Sequence, residues 1–587
     1  MKRVIYLTAL TALLLPAKTL AQRQAADTTL TRTVVVEQSY NPDILDASKV
    51  NVLPAVEPPA VSGRAVEYDT QAVPASEIPL GTMPSFSAPD KQPRGTRGYA
   101  RFGMGNYGNL EGRAGYDWAI SERDRLEVNF RTVGMNGDLT AKGFNASVER
   151  MDQLVYPIEM APPPLPRMPG NKWGAYHYNT DADLRYTHSF RNADVYVGGN
   201  LGVRNFNLLS YPVNRKLKYT RVAGYAGIRS NNDNLSLHYS LEGGYRYFGR
   251  KDFPAEDELY LKAEATRKIV EEHRIGLGVS FAHYWYARER RRVDYPRQGF
   301  LTLNPHYLLA GEALHIRLGV NLDFGTYPGQ KTHVSPDVKV QYTFADHYVA
   351  YAQATGRRNN YDYRRVEQYS PYITSGSYWW HAGYEQINAS VGFKASPTNG
   401  LWFHLYGGYQ QLKNDACAYL ITRRDDNANS EDFMLYDVGL GTIDTHNSYA
   451  GAELRYSYKD KLTFSANGIY RNWAAKEHGD KASLYFKPKL ELNFALEVRP
   501  IAPLSVTIGY QQITRKGIEG VADTDQAQTL AEVVSPVNNL HAGCNYELLK
   551  NVSIYARIRN ILNRSYQYYE YYPAEKLNFI GGLSFRF

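Results

Sequence analysis

The last eleven residues of the chain alternate strictly between two kinds of side chain. One set of alternate positions is apolar or small: Leu577, Phe579, Gly581, Leu583, Phe585 and Phe587. The positions between them are mostly polar, and successive side chains of a strand point to opposite faces. This pattern predicts a strand that separates lipid from a wet lumen. The alternative is the edge strand of a soluble sandwich.

The same alternation recurs from residue 96 onward. In one segment, Leu314, Ile316 and Leu318 alternate with His315 and Arg317. Charge confined to one face over this length indicates that one face meets water and the other does not. We count about 22 such segments up to the C-terminus, with boundaries that carry an error of a few residues. The fold class predicted is an all-β, transmembrane antiparallel β-barrel of about 22 strands.

The lengths of the connections also follow a pattern. Tight turns follow even-numbered strands, as at 121–124, 191–194, 231–234, 397–400 and 459–461. The long connections follow odd-numbered strands, at about 135–174, 361–385, 414–443, 517–534 and 564–576. Outer-membrane barrels have short turns on the periplasmic rim and long loops on the other rim. Both termini of this chain are therefore expected on the periplasmic side.

The residues before the barrel fall into two segments. Residues 1–21 predict a signal peptide, because two basic residues, Lys2 and Arg3, precede a short apolar core and a small-residue end. Residues 22–95 are rich in Pro and Ala, a composition that favours extended conformations over a packed core. Within them, Thr33, Val34, Val35 and Val36 could add a strand to the sheet edge of a periplasmic partner or stay on this chain. The barrel itself is assigned to 96–587.

Composition supports the same class. Tyr (49) outnumbers Phe (21) and Trp (7), as expected of aromatic girdles at membrane interfaces. The mean hydropathy is -0.48, and no later window is apolar enough for a membrane-spanning helix. The net charge of +8 fits contact with anionic lipid headgroups, and export argues against a nucleic-acid partner. Whether the two cysteines, Cys417 and Cys544, pair is left open by the sequence.

Motifs for enzymatic or metal chemistry are weak. The GxGxxG match at Gly103–Gly108 lies on the first strand and hairpin instead of a strand-to-helix turn. Residues 425–431 carry oxygen ligands, but they lack the central Gly of a calcium loop, so a solvated loop is favoured. The 14 His residues show no zinc-ligand spacing. We predict no cofactor, no metal and no enzymatic activity, although a barrel hydrolase would show no linear motif.

The C-terminal region resembles that of a known family. The stretch from Arg559 to Tyr566, RNILNRSY, precedes a Tyr-rich connection and the terminal strand. It looks like the same region of TonB-dependent receptors of Gram-negative bacteria. The resemblance implies a cell outer membrane location and a signal at Phe585 and Phe587 that the barrel-insertion machinery reads. It also implies a folded plug domain inside the lumen. The Pro-rich segment 22–95 is too short for such a domain, so the plug is missing or reduced to a remnant.

Two regions of the long connections are candidates for recognition. The connection 361–385 contains aromatic and basic residues suited to stacking on a sugar or gripping a partner protein: Tyr363, Arg364, Arg365, Tyr378, Trp379 and Trp380. The alternative is that they belong to the outer girdle or fold inward as packing. The basic run 288–292 either pairs with lipopolysaccharide phosphates or is a solvated rim.

These features lead to two functional hypotheses. The first is a receptor-like barrel for uptake or binding of a bulky ligand, acting without a complete plug. The second is a scaffold or accessory subunit of an outer-membrane secretion or biogenesis complex. The expected partners are outer-membrane lipids including lipopolysaccharide, and a surface lipoprotein, a TonB-type energiser or another complex subunit. A barrel of this size needs something in its lumen: the N-terminal segment, inward-folded connections or a partner's segment.

Overall fold

A computed structural model describes most of the barrel region. The described residues are 97–140, 172–211, 216–232, 234–251, 254–287, 296–326, 330–345, 347–373, 382–424, 434–459, 461–475, 484, 487–515, 536–569 and 572–587. Several predictions from the sequence fall outside them. These are the signal peptide, the segment 22–95 with Thr33, Val34, Val35 and Val36, the basic run 288–292 and the candidate calcium loop 425–431.

Twenty-two antiparallel strands form one closed barrel, which confirms the predicted fold class. The strands are β1 Gly98–Gly105, β2 Leu110–Ala119, β3 Asp124–Thr140, β4 Lys172–Ser189, β5 Ala193–Asn207, β6 Lys216–Ser230, β7 Leu237–Arg250, β8 Glu256–Lys268, β9 His273–Tyr286, β10 Gln298–Ala310, β11 Leu314–Gly325, β12 Thr332–Phe344, β13 Tyr348–Asn359, β14 Gly383–Thr398, β15 Leu401–Arg424, β16 Met434–Tyr458, β17 Leu462–Ala475, β18 Pro488–Ile501, β19 Leu504–Arg515, β20 Val537–Leu549, β21 Val552–Arg559 and β22 Asn578–Arg586.

Shorter elements lie in the connections. The segment Ser210–Tyr211 pairs with the start of β16, and Gln567–Tyr569 pairs with Tyr572–Pro573. In the described part of the chain, a 3-10 turn, Asn106–Gly108, joins β1 to β2, and an α-helix, α1, spans Tyr363–Tyr369. Among the described residues, no helix is long and apolar enough to cross a bilayer.

The barrel closes between its first and last strands. β1 and β22 are antiparallel, with Tyr99 opposite Arg586 and Gly105 opposite Ile580. The carbonyl oxygen of Phe587 accepts hydrogen bonds from the backbone N–H groups of Arg97 and Gly98, each at 2.7 Å. The terminal residue is therefore part of the seam, and closure leaves no free sheet edge.

The two rims differ as the sequence predicts. Connections after even-numbered strands are short, the longest being 231–236, and we call that end the turn rim. Connections after odd-numbered strands include 141–171, 360–382, 516–536 and 560–577, and we call that end the loop rim. Sorting of this kind is typical of outer-membrane barrels.

One predicted loop is wrong in extent. The sequence assigns 414–443 to a connection, but β15 runs to Arg424 and β16 begins at Met434. The register shifts between Leu412 and Asp415, where Asn414 adopts a positive φ of 51°. This bulge interrupts the alternation of side chains, so the pattern stops although the hairpin continues.

The two faces of the wall have opposite character. Apolar side chains with large exposed fractions lie on the outer face, for example Phe102, Met104, Leu184, Leu318, Val391, Leu405, Ile554, Phe579 and Phe585. Their neighbours in sequence point inward and form ion pairs, such as Arg317 with Asp337 and Arg471 with Glu491. A continuous exposed apolar belt of this kind marks a surface that meets lipid or a partner.

The two cysteines occupy different strands and form no disulfide. Cys417 is buried on β15, and Cys544 is exposed on β20. The register places Cys544 opposite Val506 and Ala556, on the face shared with Tyr546.

We expect Cys544 to react with an apolar maleimide and to resist a charged one when the protein is in a bilayer, because its thiol lies in the apolar belt. The measurement is mass-resolved labelling of a Cys417→Ser variant in liposomes. Rapid labelling of that variant by the charged reagent, before any detergent is added, would show that this part of the wall faces water.

Candidate functional site

Two connections of the loop rim fold into the lumen. The first, 360–382, carries α1, and the second, 560–577, carries the paired segments Gln567–Tyr569 and Tyr572–Pro573. We call their described inward-folded parts, 361–373 and 566–572 without the two residues 570–571, the lumen cap. Both parts contact inward-facing side chains of the wall, described below.

Local sequence explains why α1 begins where it does. The Asp362 side chain accepts a hydrogen bond from the backbone N–H of Arg365 at 2.9 Å, the usual arrangement of a helix N-cap. The buried face of the helix carries Tyr363, Val366 and Glu367. This one short turn of helix therefore directs two apolar groups and one carboxylate into the lumen wall.

The two parts of the cap meet in an aromatic cluster. The rings of Tyr372 and Tyr572 stack with a centroid distance of 3.4 Å and an interplanar angle of 7°. Tyr372 also contacts Tyr569 at 5.6 Å, and Tyr572 contacts Trp173 at 5.5 Å. The cluster continues into the wall through Phe206, which lies 5.8 Å from Tyr372. The three edge-to-face pairs among these contacts have the geometry that adds to the stability gained from burial alone.

A buried carboxylate anchors α1 to the wall. Glu367 is 4% exposed, and both of its carboxylate oxygens accept hydrogen bonds from Arg221 Nη1 at 3.0 Å. Arg204 Nε lies 3.3 Å from Glu367 Oε1, and the Arg204 side chain is also buried. Two strands, β5 and β6, thus supply two cations to one anion of the cap. A buried charge without such partners is strongly destabilising.

Further hydrogen bonds hold both ends of the first connection. Tyr219 donates to the carbonyl oxygen of Pro371, and Arg250 donates to that of Ile373. At the other end, the backbone N–H of Tyr363 donates to Glu256 Oε1 at 3.0 Å. These contacts satisfy backbone groups that would otherwise be buried without partners.

Burial changes the acidity of the cap's side chains. Desolvation raises the pKa of Tyr372 to about 12 and also raises the pKa of Tyr569. Desolvation lowers the pKa of Arg364, with a further contribution from the nearby Arg246 charge. Both phenols therefore remain protonated near neutral pH.

The RNILNRSY stretch forms the turn that sends the second connection inward. Asn560 has a positive φ of 50° and Asn563 one of 52°, a conformation that Asn tolerates better than most residues. The Asn560 side chain donates to the carbonyl oxygen of Arg564 at 2.7 Å and accepts from the Arg564 N–H at 3.0 Å. The two asparagines therefore have a structural role in shaping this connection.

The structure places the candidate residues in different environments. Tyr363 is 3% exposed within the aromatic cluster, and Arg364 donates to the carbonyl oxygens of Val222 and Tyr247 at 3.0 and 3.3 Å. The backbone N–H of Arg365 donates to the Asp362 side chain at the N-cap of α1. The other residues of this set lie outside the described part of the chain: Tyr378, Trp379 and Trp380. Phe585 and Phe587 lie on the outer face at the seam.

The sequence did not single out the residues that hold the cap. Arg204, Arg221, Glu367 and the Tyr372 and Tyr572 pair meet only through the closure of the barrel. The one available signal was a lone Glu367 in a connection otherwise rich in Tyr and Arg. Within the described ranges, no group of three or more His, Cys, Asp or Glu side chains is arranged to hold a metal ion.

We expect Tyr372→Ala and Tyr572→Ala to be coupled, because each residue provides the stacking partner of the other. A double-mutant cycle on the rate of proteolysis within the cap should give a coupling of about 0.5–1.5 kcal/mol. The control cycle pairs Tyr372→Ala with Tyr409→Ala on the outer face, whose effects should add. Additive effects in both cycles would contradict a contact between the two connections.

Comparison with solved structures reveals the same architecture. A variant of the ferric enterobactin receptor PfeA from Pseudomonas aeruginosa is 12% identical, with a TM-score of 0.58 over 84% of this chain and 80% of that one. The copper transporter OprC is 12% identical, with a TM-score of 0.57 over the same shares. The siderophore receptor PirA from Acinetobacter baumannii is 10% identical, with a TM-score of 0.57, again over 84% and 80%.

The chain has the same closed 22-strand barrel fold as these proteins. At these identities the similarity establishes the fold alone, and it confirms the resemblance seen at the C-terminus. No protein-family model matches the sequence, and no curated protein matches it. The TonB-receptor-like barrel is therefore established by its strand number, closure and topology, and not by conserved motifs.

Proposed function

We propose that this chain is an outer-membrane receptor-like barrel that binds or takes up a bulky ligand without a complete plug of its own. The observation that carries the proposal is the lumen cap, in which two connections of the barrel pack against its inner wall. A 22-strand barrel is too wide to be filled by wall side chains alone. Here the connections supply part of that filling, so access through the loop rim depends on them.

The structural neighbours support the transport class. The names of three of them refer to ferric enterobactin, copper and ferric pyoverdine. By analogy with the receptors for ferric enterobactin and ferric pyoverdine, this chain would take a solute too large for a general pore. The analogy concerns the class of solute, since the fold alone does not transfer a ligand.

The proposed location is the outer membrane, with both termini on the periplasmic side. The apolar belt on the outer face supports contact with lipid acyl chains, and lipopolysaccharide would meet the loop rim. Phe585 and Phe587 would be read by the barrel-insertion machinery. A TonB-type energiser or a surface lipoprotein would supply what the short segment 22–95 lacks.

The scaffold hypothesis is kept because of one sequence feature. The stretch Thr33 to Val36 is suited to strand addition on a partner, and a secretion or biogenesis complex would offer such an edge. The scaffold hypothesis predicts that this protein forms a stable complex with such a partner, and that the complex does not depend on the lumen.

Uptake can be tested with a strain that lacks this protein and is complemented with the wild-type gene. The probes are radiolabelled ferric enterobactin and Cu²⁺, each measured with and without a protonophore. Accumulation of either probe that depends on the protein supports the receptor. Failure of both, together with co-purification of secretion or biogenesis components with tagged protein in mild detergent, would replace the receptor by the scaffold.

A further inference from the structure

Three arginines occupy directly opposed positions on neighbouring strands of the inner wall. In register, Arg101 of β1 lies opposite Arg113 of β2, and Arg113 lies opposite Arg131 of β3. The adjacent Phe102 and Phe130 are exposed on the outer face, so the arginines face the lumen. Like charges directly opposite each other destabilise an antiparallel pair, and a row of three needs a compensating role.

Two further arginines reach the same place from the other side of the seam. Arg557 and Arg559 lie on the inner face of β21, and Arg557 forms an ion pair with Glu111 of β2. The intervening inner position of β1 is Gly103, where a Cβ atom would overlap the Tyr555 hydroxyl. Glycine thus lets side chains from β21 lie across the seam. We call these five arginines the arginine wall: Arg101, Arg113, Arg131, Arg557 and Arg559.

The guanidinium groups of the arginine wall are held in fixed orientations. The Tyr555 ring is buried, and its centroid lies 3.6 Å from the guanidinium carbon of Arg101 and 5.6 Å from that of Arg557. Arg113 Nε lies 2.8 Å from Glu111 Oε1. Stacking and a single shared carboxylate thus fix one side of three of the five groups, those of Arg101, Arg113 and Arg557. A pre-organised fork loses little entropy when it binds an anion.

Three carboxylates near the arginine wall do not balance its five positive charges, and one of them, Glu575 of the second connection, interacts with Arg559. Glu111 is shared by Arg113 and Arg557. Asp181 is opposite Arg131 in register, but its oxygen accepts a hydrogen bond from Arg221 at 2.8 Å. Of the residues that the structure describes, all five arginines of the wall have a buried Nε atom without a hydrogen-bond partner, although Arg113 Nε is in an ion pair with Glu111.

We propose that the arginine wall is a binding site for a solute with several phosphate groups. Planar guanidinium groups bind phosphate oxygens in pairs, and a basic cleft with low-dielectric walls concentrates anions. The neighbouring strands already hold one oxyanion in this way, because Arg204 and Arg221 bind the Glu367 carboxylate. The inference rests on the proposed function only in treating the lumen as the path of the ligand.

The test is binding of inositol hexakisphosphate to the full-length protein in neutral detergent. Isothermal titration calorimetry measures the binding. We expect saturable binding that weakens as NaCl rises, and no binding of unphosphorylated inositol. Arg131→Gln and Arg101→Gln should each weaken binding about tenfold, the value of a hydrogen bond to a charged group. Arg455→Gln, at an exposed arginine of β16, is the matched control and should leave binding unchanged.

Each outcome decides the proposal. Absence of saturable binding to the wild type would overturn it, as would equal weakening by Arg455→Gln or no effect of Arg131→Gln. Heat-modifiable migration in gel electrophoresis shows whether every variant retains the folded barrel. Because the assay requires no transport, failed uptake together with co-purification of secretion or biogenesis components would replace the receptor by the scaffold, while intact binding would leave the arginine wall in place.

Discussion

Replacement of residues 360–382 by the dipeptide Asn-Gly is expected to open the lumen and to raise single-channel conductance in a planar bilayer from near zero to that of a wide aqueous pore. Asn359 and Gly383 are directly opposite in register, so a two-residue turn can join β13 to β14. The replacement removes α1, Tyr372 and the Glu367 anchor, while the wall strands are unchanged. The second connection of the lumen cap remains, but a barrel of this size that loses one of its two inward segments should hold a water-filled channel.

The control for this variant uses the same dipeptide at the same rim. Arg424 and Met434 are opposite in register at the end of the β15–β16 hairpin, so Asn-Gly can replace 425–433. That change leaves the lumen cap intact, and conductance should stay near the wild-type value. If removal of 360–382 left conductance unchanged, another segment would have to close the lumen, and 22–95 would be the first to delete.

The sequence predicts the wall well because the wall follows a local rule. Alternation assigns Leu577 and Phe579 to the outer face, and the exposed fractions of both side chains confirm it. Loop parity predicts the two rims because a closed antiparallel barrel places every second connection at the same end. The rule fails at Asn414, where one bulge breaks the period and hides the continuation of β15.

The cap could be predicted only in part, because its contacts are not local. Composition identifies the connection 361–385 as unusual, and inward packing was one of two alternatives for Tyr363 and Arg364. The partner of Glu367 cannot be read from the sequence, since Arg221 lies 146 residues away. The arginine wall could not be predicted from the sequence either. Its row of three arginines depends on the register of β1, β2 and β3, and an error of one residue in the strand boundaries changes that register.

Glu367→Ala is expected to release α1 from the wall while the barrel stays folded. The change leaves Arg204 buried without its carboxylate and removes the two oxygens that accept from Arg221 Nη1. Removing one member of a buried ion pair costs about 3–5 kcal/mol. Because the wall strands are held by their own hydrogen-bond ladders, that loss should fall on the cap alone. Amide hydrogen exchange resolved by mass spectrometry should show lost protection across α1 and unchanged protection in β5 and β6.

Gln368→Ala provides the matched control, because Gln368 is the next residue of the same helix and is exposed. In this variant, the hydrogen-exchange protection of α1 should equal that of the wild type, because alanine favours helix and no buried partner is lost. A second comparison separates charge from shape: Glu367→Gln keeps the volume and one acceptor, and should lose less protection than Glu367→Ala. Equal protection of α1 in all three variants would mean that the aromatic stack of Tyr372 on Tyr572 holds the cap without the carboxylate.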